Sequence, residues 1–281
     1  MRKNSGQRDL LATLRVAALS SAALLLLAPP ATAGSSQDLM QLTALADELA
    51  FDVLENRRLL IGLCNSSPLC RAYGEEVLES VEAGGQNLSL GPVAVPLVEE
   101  LFEQLDETDT EALFDFYRSP LGQRIVEQER AWRTTAALEQ VRQNGVGVHN
   151  RQSDERIALL EDIDSMGDGS ALQRRLDLQA RRTVEWVERR AERQGKTPQT
   201  TGAREPDRSR YLYHQRMAMT YESMSDEDLQ LYVDFLGSTG GETWLSAKRD
   251  IRTAAVKAAA QKTLERLIGR LGTGDEPPTQ N

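Results

Sequence analysis

Cysteine, histidine and aromatic residues are all scarce in this chain, with two Cys, two His and 5% Phe, Trp and Tyr in 281 residues. Each scarcity narrows the reading. His149 and His214 stand far apart, with no H-x-x-x-H pair and no cysteine beside them, so no zinc-ligand spacing is present. The expectation is no metal and no cofactor, with His149 in a linker and His214 on a helix surface. No phosphate loop and no nucleophile–base pairing can be read from the spacing, so no catalytic residue is assigned. The few aromatics favour a modest packed core over a large apolar pocket. No stretch alternates with period two for long enough to build a sheet, which leaves an all-α chain. Beyond residue 33 no apolar run is long enough to cross a bilayer.

Positive charge is also in deficit, the net charge being −10. Without residues 1–33, which carry four basic residues and Asp9, 29 Lys+Arg face 42 Asp+Glu, a net charge of −13. Residues 34–150 hold most of the excess, at 8 basic against 20 acidic, whereas 151–281 hold 21 against 22. An acidic surface argues against nucleic acid and anionic lipid, which both reward basic patches.

The first 33 residues read as a secretory signal. Arg2, Lys3, Arg8 and Arg15 precede the apolar stretch Val16–Ala28, and Pro29-Pro-Ala-Thr-Ala33 offers small residues for cleavage after Ala33. The stretch is too short to span a bilayer comfortably. The expected location is the periplasm. Cys64 and Cys70, with five residues between them, then read as a disulfide, because an oxidising compartment favours a close, even pair.

Helical periodicity fills the rest. Leu42, Ala46, Leu49, Val53, Leu60 and Cys64 form one stripe from Gln37 to about Asn65, and Ser67-Pro68 restarts a helix. Gly84–Gly91 reads as a loop. Helices are expected from about Pro96 to Asp106, Thr110 to Arg118, and Pro120 to about Arg142. Residues 143–153 look like a polar linker, after which Ser153 and Ser170 cap two further helices. The second of these sets Asp177, Arg181, Glu185, Arg189 and Arg193 along one face at i,i+4 spacing, a self-neutralised solvated ladder. Leu172, Leu176, Ala180, Val184, Val187 and Ala191 form the opposite stripe, with Trp186 at the edge between. After a polar loop, helices are expected over Asp207–Ser223, Asp226–Leu236 and about Gly240–Leu271.

The stretch Leu113–Val126 organises the chain. One helix ends at Arg118 and another starts at once. Ser119 serves as N-cap, Pro120 suits the first helical position, and Gly122 lets another backbone come close. Tyr117, Arg118 and Ser119 are adjacent and could suggest acid–base work, but Ser119 already has its cap to make and Phe116 falls on the core stripe. The unit recurs 119 residues later, where Phe235, Ser238 and Gly241 align with Phe116, Ser119 and Gly122. Leu236 and Thr239 replace Tyr117 and Pro120 in that copy. Each half then reads as about five helices: a signal peptide at 1–33, a first lobe at 34–145, a linker at 146–153, a second, diverged lobe at 154–272 and a disordered tail at 273–281.

Glu111–Val126, with its Phe-Tyr, Ser-Pro and Gly at this spacing, resembles the signature of a bacterial exported family called domain of unknown function 2059. The resemblance implies an all-helical periplasmic protein of Gram-negative bacteria, and carries no activity with it.

The last helix is the least ordinary. Trp244, Ala247, Ile251, Ala255 and Ala258 share one face, while Leu264, Leu267, Ile268 and Leu271 share another turned nearly half-way round. A straight helix cannot bury both stripes in one groove, so either it kinks near Gln261 or its last two turns pack on the other half of the chain or on another chain. A contact within the chain is expected first, and the second stripe is the candidate interaction surface. The functional expectation is a non-enzymatic scaffold or interaction module of the cell envelope, partnered by itself or by another envelope protein. The alternative is a carrier enclosing an apolar lipid or peptide between its lobes, and an envelope hydrolase comes third.

Overall fold

Eight of the thirteen helices in the computed structural model, which describes residues 35–86, 91–196 and 209–272, begin on a side-chain cap. Ser35, Ser67, Asp106, Ser119, Thr134, Ser153, Ser225 and Ser238 each accept a hydrogen bond from a backbone N–H three residues on. Each such cap contributes about 1 kcal/mol by satisfying a donor that the helix itself leaves free. The helices are α1 (Ser36–Leu42), α2 (Leu45–Ser66), α3 (Pro68–Arg71), α4 (Gly74–Gln86), α5 (Gly91–Gln104), α6 (Glu107–Arg118) and α7 (Pro120–Ala131). There follow α8 (Thr135–His149), α9 (Asp154–Gly167), α10 (Gly169–Arg193), α11 (Ser209–Thr220), α12 (Asp226–Leu236) and α13 (Thr239–Leu271). The fold is all-α, with no strand among the described residues.

Several boundaries differ from those the sequence suggests. The first expected helix is broken at Thr43 and Ala44, where Ala44 takes a left-handed backbone (φ 50°) and Thr43 turns its hydroxyl back to the Leu39 carbonyl. Alanine gives no sequence signal for such a break. Trp132 likewise ends α7, and Thr134 caps α8 where one long helix was expected. That helix continues to His149, so the expected linker shrinks to residues 150–153. Gly145 causes no break because it is a close-approach site, where a Cβ would come within 2.9 Å of the Gln215 Cβ on α11. Ser170 lies inside the first turn of α10 rather than capping it, and its N–H donates to Asp164 at 2.7 Å. The expected loop at 84–91 is partly helical, since α4 reaches Gln86 and α5 starts at Gly91 with Pro96 inside it. The expected signal segment and the expected tail from residue 273 lie outside the described residues.

Nor do the two halves form separate lobes. The described residues belong to one compact unit, and each of three apolar clusters draws on both halves. The first joins Leu39, Leu49, Val98, Leu101 and Leu113 to Trp244, Ile251 and Ala255 of α13. The second joins Leu60, Tyr73 and Val77 to Val184, Trp186, Leu264 and Leu267. The third packs Ile125 and Val141 on Leu160, Met217 and Leu229. α13 therefore buries both of its stripes, because its two ends lie against different helices.

Leu264, Leu267 and Leu271 are buried and Ile268 packs against them, so the stripe is core and not a free interaction surface. Arg190 of α10 closes that end by donating to the Leu271 carbonyl at 2.8 and 3.0 Å. Trp186, expected at an edge, is fully buried in the same cluster. Asp177–Arg181 of the expected ladder is an i,i+4 ion pair at 2.6 Å. Cys64 and Cys70 are joined and tie α2 to α3 inside the second cluster.

The corner glycines are the sharpest packing constraint. A Cβ on Gly122 would run into the Phe116 carbonyl oxygen and sit 2.9 Å from the Tyr117 Cα, and one on Gly241 would meet Phe235 and Leu236 in the same way. Gly122→Ala and Gly241→Ala are each expected to destabilise the fold by at least about 1–3 kcal/mol, the usual cost of overpacking. Gly62→Ala, where a Cβ meets nothing within 4 Å, serves as the control. Urea unfolding midpoints of the three variants check this.

Candidate functional site

The two corners face each other through equivalent residues. The rings of Phe116 and Phe235 stack with centroids 3.6 Å apart and planes 1° from parallel. Tyr117 meets Phe235 edge-on, and its hydroxyl accepts a hydrogen bond from the Trp244 indole N–H at 2.9 Å. Ser119 and Ser238 each cap the N–H of the glycine three residues on, at 3.0 and 3.2 Å. Arg124 reaches Asp228 at 2.9 Å across the pair.

The helices leaving these corners, α7 and α13, carry charged pairs at equivalent positions one turn apart. Glu129 and Arg133 lie on α7 and just beyond it, and Lys248 and Arg252 lie 119 residues later on α13. Between them α2 inserts Glu48 and Asp52, also one turn apart and both nearly inaccessible to solvent. Glu48 is held by Lys248 at 2.8 Å, Arg252 at 3.0 Å and Arg133 at 3.1 Å. Arg252 grips Asp52 with two N–H groups, at 2.7 and 2.9 Å. Glu129 pairs with Arg133 at 2.7 Å and accepts from the Tyr221 hydroxyl at 2.8 Å and the Tyr232 hydroxyl at 3.3 Å. The interior thus contains a closed network of three carboxylates and three cations.

Burial alone would raise the Glu48 carboxyl, but Arg133, Lys248 and Arg252 outweigh it and hold the group well below the usual carboxylate range. Burial would lower Arg133, yet Glu48 and Glu129 raise it. In the same way Asp52 and Glu48 raise Arg252. The Tyr117, Tyr221 and Tyr232 hydroxyls are pushed up by burial and further by the Glu129 charge. Every one of these shifts leads away from neutrality, so the groups are fixed in their resting protonation states.

A cavity of about 80 Å³ opens beside the network. α2, α9, α11, α12 and α13 and the Glu129–Arg133 turn surround it, with Phe51, Trp132, Met217 and Leu245 as apolar walls. Arg216 lies over the Tyr213 ring at 4.9 Å and the Phe51 ring at 5.5 Å. Among the described residues no three His, Cys, Asp or Glu are grouped closely enough to hold a metal ion.

The corner that builds this site also carries the family signature. Residues 97–146 match the family model described as an uncharacterized protein conserved in bacteria, DUF2059. The resemblance read from Glu111–Val126 therefore holds over a longer segment, α5 to α8. Nothing among the curated proteins or the solved structures matches the chain.

The matched segment holds Phe116, Tyr117, Ser119, Pro120 and Gly122; Phe116 and Tyr117 meet Phe235, while Ser238 and Gly241 form the cap of the second corner. Tyr117 is buried and bonded to Trp244, Ser119 is occupied as a cap, and Arg118 lies over the Phe114 ring at 4.8 Å. The three do not converge on one point. His214, expected on a helix surface, is half-buried and paired with Asp164 at 3.0 Å, and His149 ends α8 with its ring 6.3 Å from that of Tyr211.

Sequence reasoning missed the ion network. A signal for it lay in the sequence spacing, since the 119-residue offset that aligns Gly122 with Gly241 also aligns Glu129 with Lys248 and Arg133 with Arg252. The buried i,i+4 pair Glu48/Asp52 inside an otherwise apolar stripe was the second clue.

Glu48→Gln leaves three cations facing a lost charge, and is expected to cost about 3–5 kcal/mol, as for other broken buried pairs. Because the folded pKa of Glu48 lies below its unfolded value, its stabilisation is full above about pH 5 and is lost as the pH falls through the acid range. Urea unfolding of the native chain should weaken below about pH 4, with a flatter acid limb in Glu48→Gln. Glu55, also on α2, behaves oppositely. Burial pushes its carboxyl up against the pull of Arg216, Arg58 and Arg142, and its Oε2 has no hydrogen-bond partner. A raised folded pKa costs stability once the unfolded carboxyl ionises, so Glu55→Gln should raise the Tm at neutral pH and leave it nearly unchanged in acid. Thermal melts at both extremes check the sign.

Proposed function

We propose that the protein is an exported, non-enzymatic helical scaffold or protein-interaction module of the bacterial cell envelope. The observation that carries this reading is the direction of the shifts in the buried network. General acids and bases need pKa values near the working pH. Here the carboxylate is driven down and the tyrosines and arginines up, which suits an interior that fixes helix positions.

Export is supported by the basic, apolar and small-residue order of residues 1–33, and by a disulfide that an oxidising compartment would preserve. No helix among the described residues is long and apolar enough to cross a membrane. The carrier reading is less well supported. An apolar ligand of lipid size calls for a chamber of roughly 300–1,000 Å³, and the cavity beside the network is smaller and lined by charge.

The interaction surface is sought among exposed apolar side chains, of which Leu231 on α12 and Leu178 on α10 are 56% and 48% exposed. Photo-crosslinking residues placed at Leu231 and Leu178 in cells exporting the chain are expected to give a discrete envelope-protein or self adduct from at least one position. Fractionation should find the chain in the periplasm beginning at Gly34, with Cys64 and Cys70 oxidised. A lipid-sized mass that co-purifies and leaves only on denaturation would overturn the scaffold reading in favour of the carrier. Retention in the cytoplasm would overturn export.

A further inference from the structure

The cavity beside the ion network has more cations than its carboxylates use. Five basic side chains line it, Arg133, Arg216, Lys248, Arg249 and Arg252, against three acidic ones, Glu48, Asp52 and Glu129. The carboxylates are already engaged, Glu48 by three cations, Asp52 by the Arg252 fork, and Glu129 by Arg133 and two tyrosine hydroxyls. Glu48 Oε2 lies within ion-pair distance of Arg133 and Lys248 without a well-directed hydrogen bond, and donors are left over as well. Arg133 Nη1 is buried with no acceptor. Arg216 makes ring contacts with Phe51 and Tyr213, and among the described residues no carboxylate lies within ion-pair distance of it. Arg249 donates to the Ser246 hydroxyl at 3.1 Å. Glu55 acts on Arg216 from α2 without hydrogen-bonding it, and a positive surplus remains when Glu55 is counted. This surplus sits inside a chain of net charge −10.

From this imbalance we infer that the cavity binds a small organic carboxylate. Its charged end would take the place open to Arg133 Nη1, Arg216 and Arg249, and its short body would lie on Phe51, Trp132 and Met217. Guanidinium groups suit this ligand because they present paired N–H donors that match a carboxylate's two oxygens. The size fits as well, since a few non-hydrogen atoms fill about 80 Å³ where a lipid chain would not enter. Arg216 and Arg249 are partly buried, and a bound anion would pair them without disturbing the carboxylates that fix the helices.

The test is a titration of the full mature chain with propionate, followed by ¹H–¹⁵N NMR of the tryptophan indoles at constant ionic strength held with chloride. Propionamide and inorganic phosphate are the comparison probes. The Trp132 cross-peak should move saturably with propionate, while that of Trp186, buried in the second apolar cluster, should stay in place. Arg216→Gln and Arg249→Gln, on different helices and outside the carboxylate pairs, should each weaken propionate at least tenfold, with native circular dichroism confirming their fold. Propionamide should have no effect. Saturation by phosphate but not propionate, movement of Trp132 by neither, or unchanged propionate affinity in both folded variants would overturn the assignment.

Discussion

The Glu48 carboxylate, taken out of water in the middle of α2, is the group on which the arrangement of the other helices depends. A buried carboxylate is tolerable only when its partners are already in place. Its three partners come from two directions: Arg133 from beyond the end of α7, and Lys248 and Arg252 from α13. Apolar contacts alone would allow α7 and α13 to slide along α2, since hydrophobic burial is non-directional. Hydrogen-bonded charges do not allow sliding, because a shift of one turn would strand at least one of them. The network thus acts less as a source of net stability than as a determinant of register.

The stacked corners contribute the complementary constraint. Phe116 and Phe235 lie ring on ring, and the glycines behind them let each new helix start against the carbonyl of the one before. That fixes where α7 and α13 set out from the stacked pair. Two to three turns further on, the Glu129/Arg133 and Lys248/Arg252 pairs converge on Glu48 of α2. A local rule at Ser119 and Ser238, a cap followed by a glycine, therefore propagates into the placement of charges ten to fourteen residues away.

Much of this was legible in the sequence. The helical class, the serine-capped corners, the Cys64–Cys70 pair and the buried stripe of α10 follow from spacing and capping chemistry, which are local. What was not legible is tertiary. Ala44 adopts a left-handed backbone although alanine is a strong helix former, because Leu39, Ala44, Leu45 and Leu49 all enter one cluster that the bend makes reachable. The 143–149 segment reads as linker by composition, yet its glycine is the price of close packing on Gln215 and leaves the helix intact. The α13 stripe at Leu264 looks unpartnered only until α4 and α10 are folded against it. In each case local propensity lost to a contact with a distant segment.

The differences between the two corners fit the charge balance. With a glutamate at position 248, as at Glu129, four carboxylates would face two guanidiniums around Glu48 and Asp52, and the interior would carry an unpaired negative excess. With Lys248 there instead, three carboxylates meet three cations, and α2 can contribute both of its acids. The tyrosine changes in parallel. Tyr117 needs a donor for its buried hydroxyl and finds the Trp244 indole, whereas the equivalent Leu236 needs none and is wholly apolar in its cluster. The two corners keep in common what backbone geometry demands, the serine and the glycine, and differ where a single shared interior must have opposite charges and only one hydroxyl to satisfy.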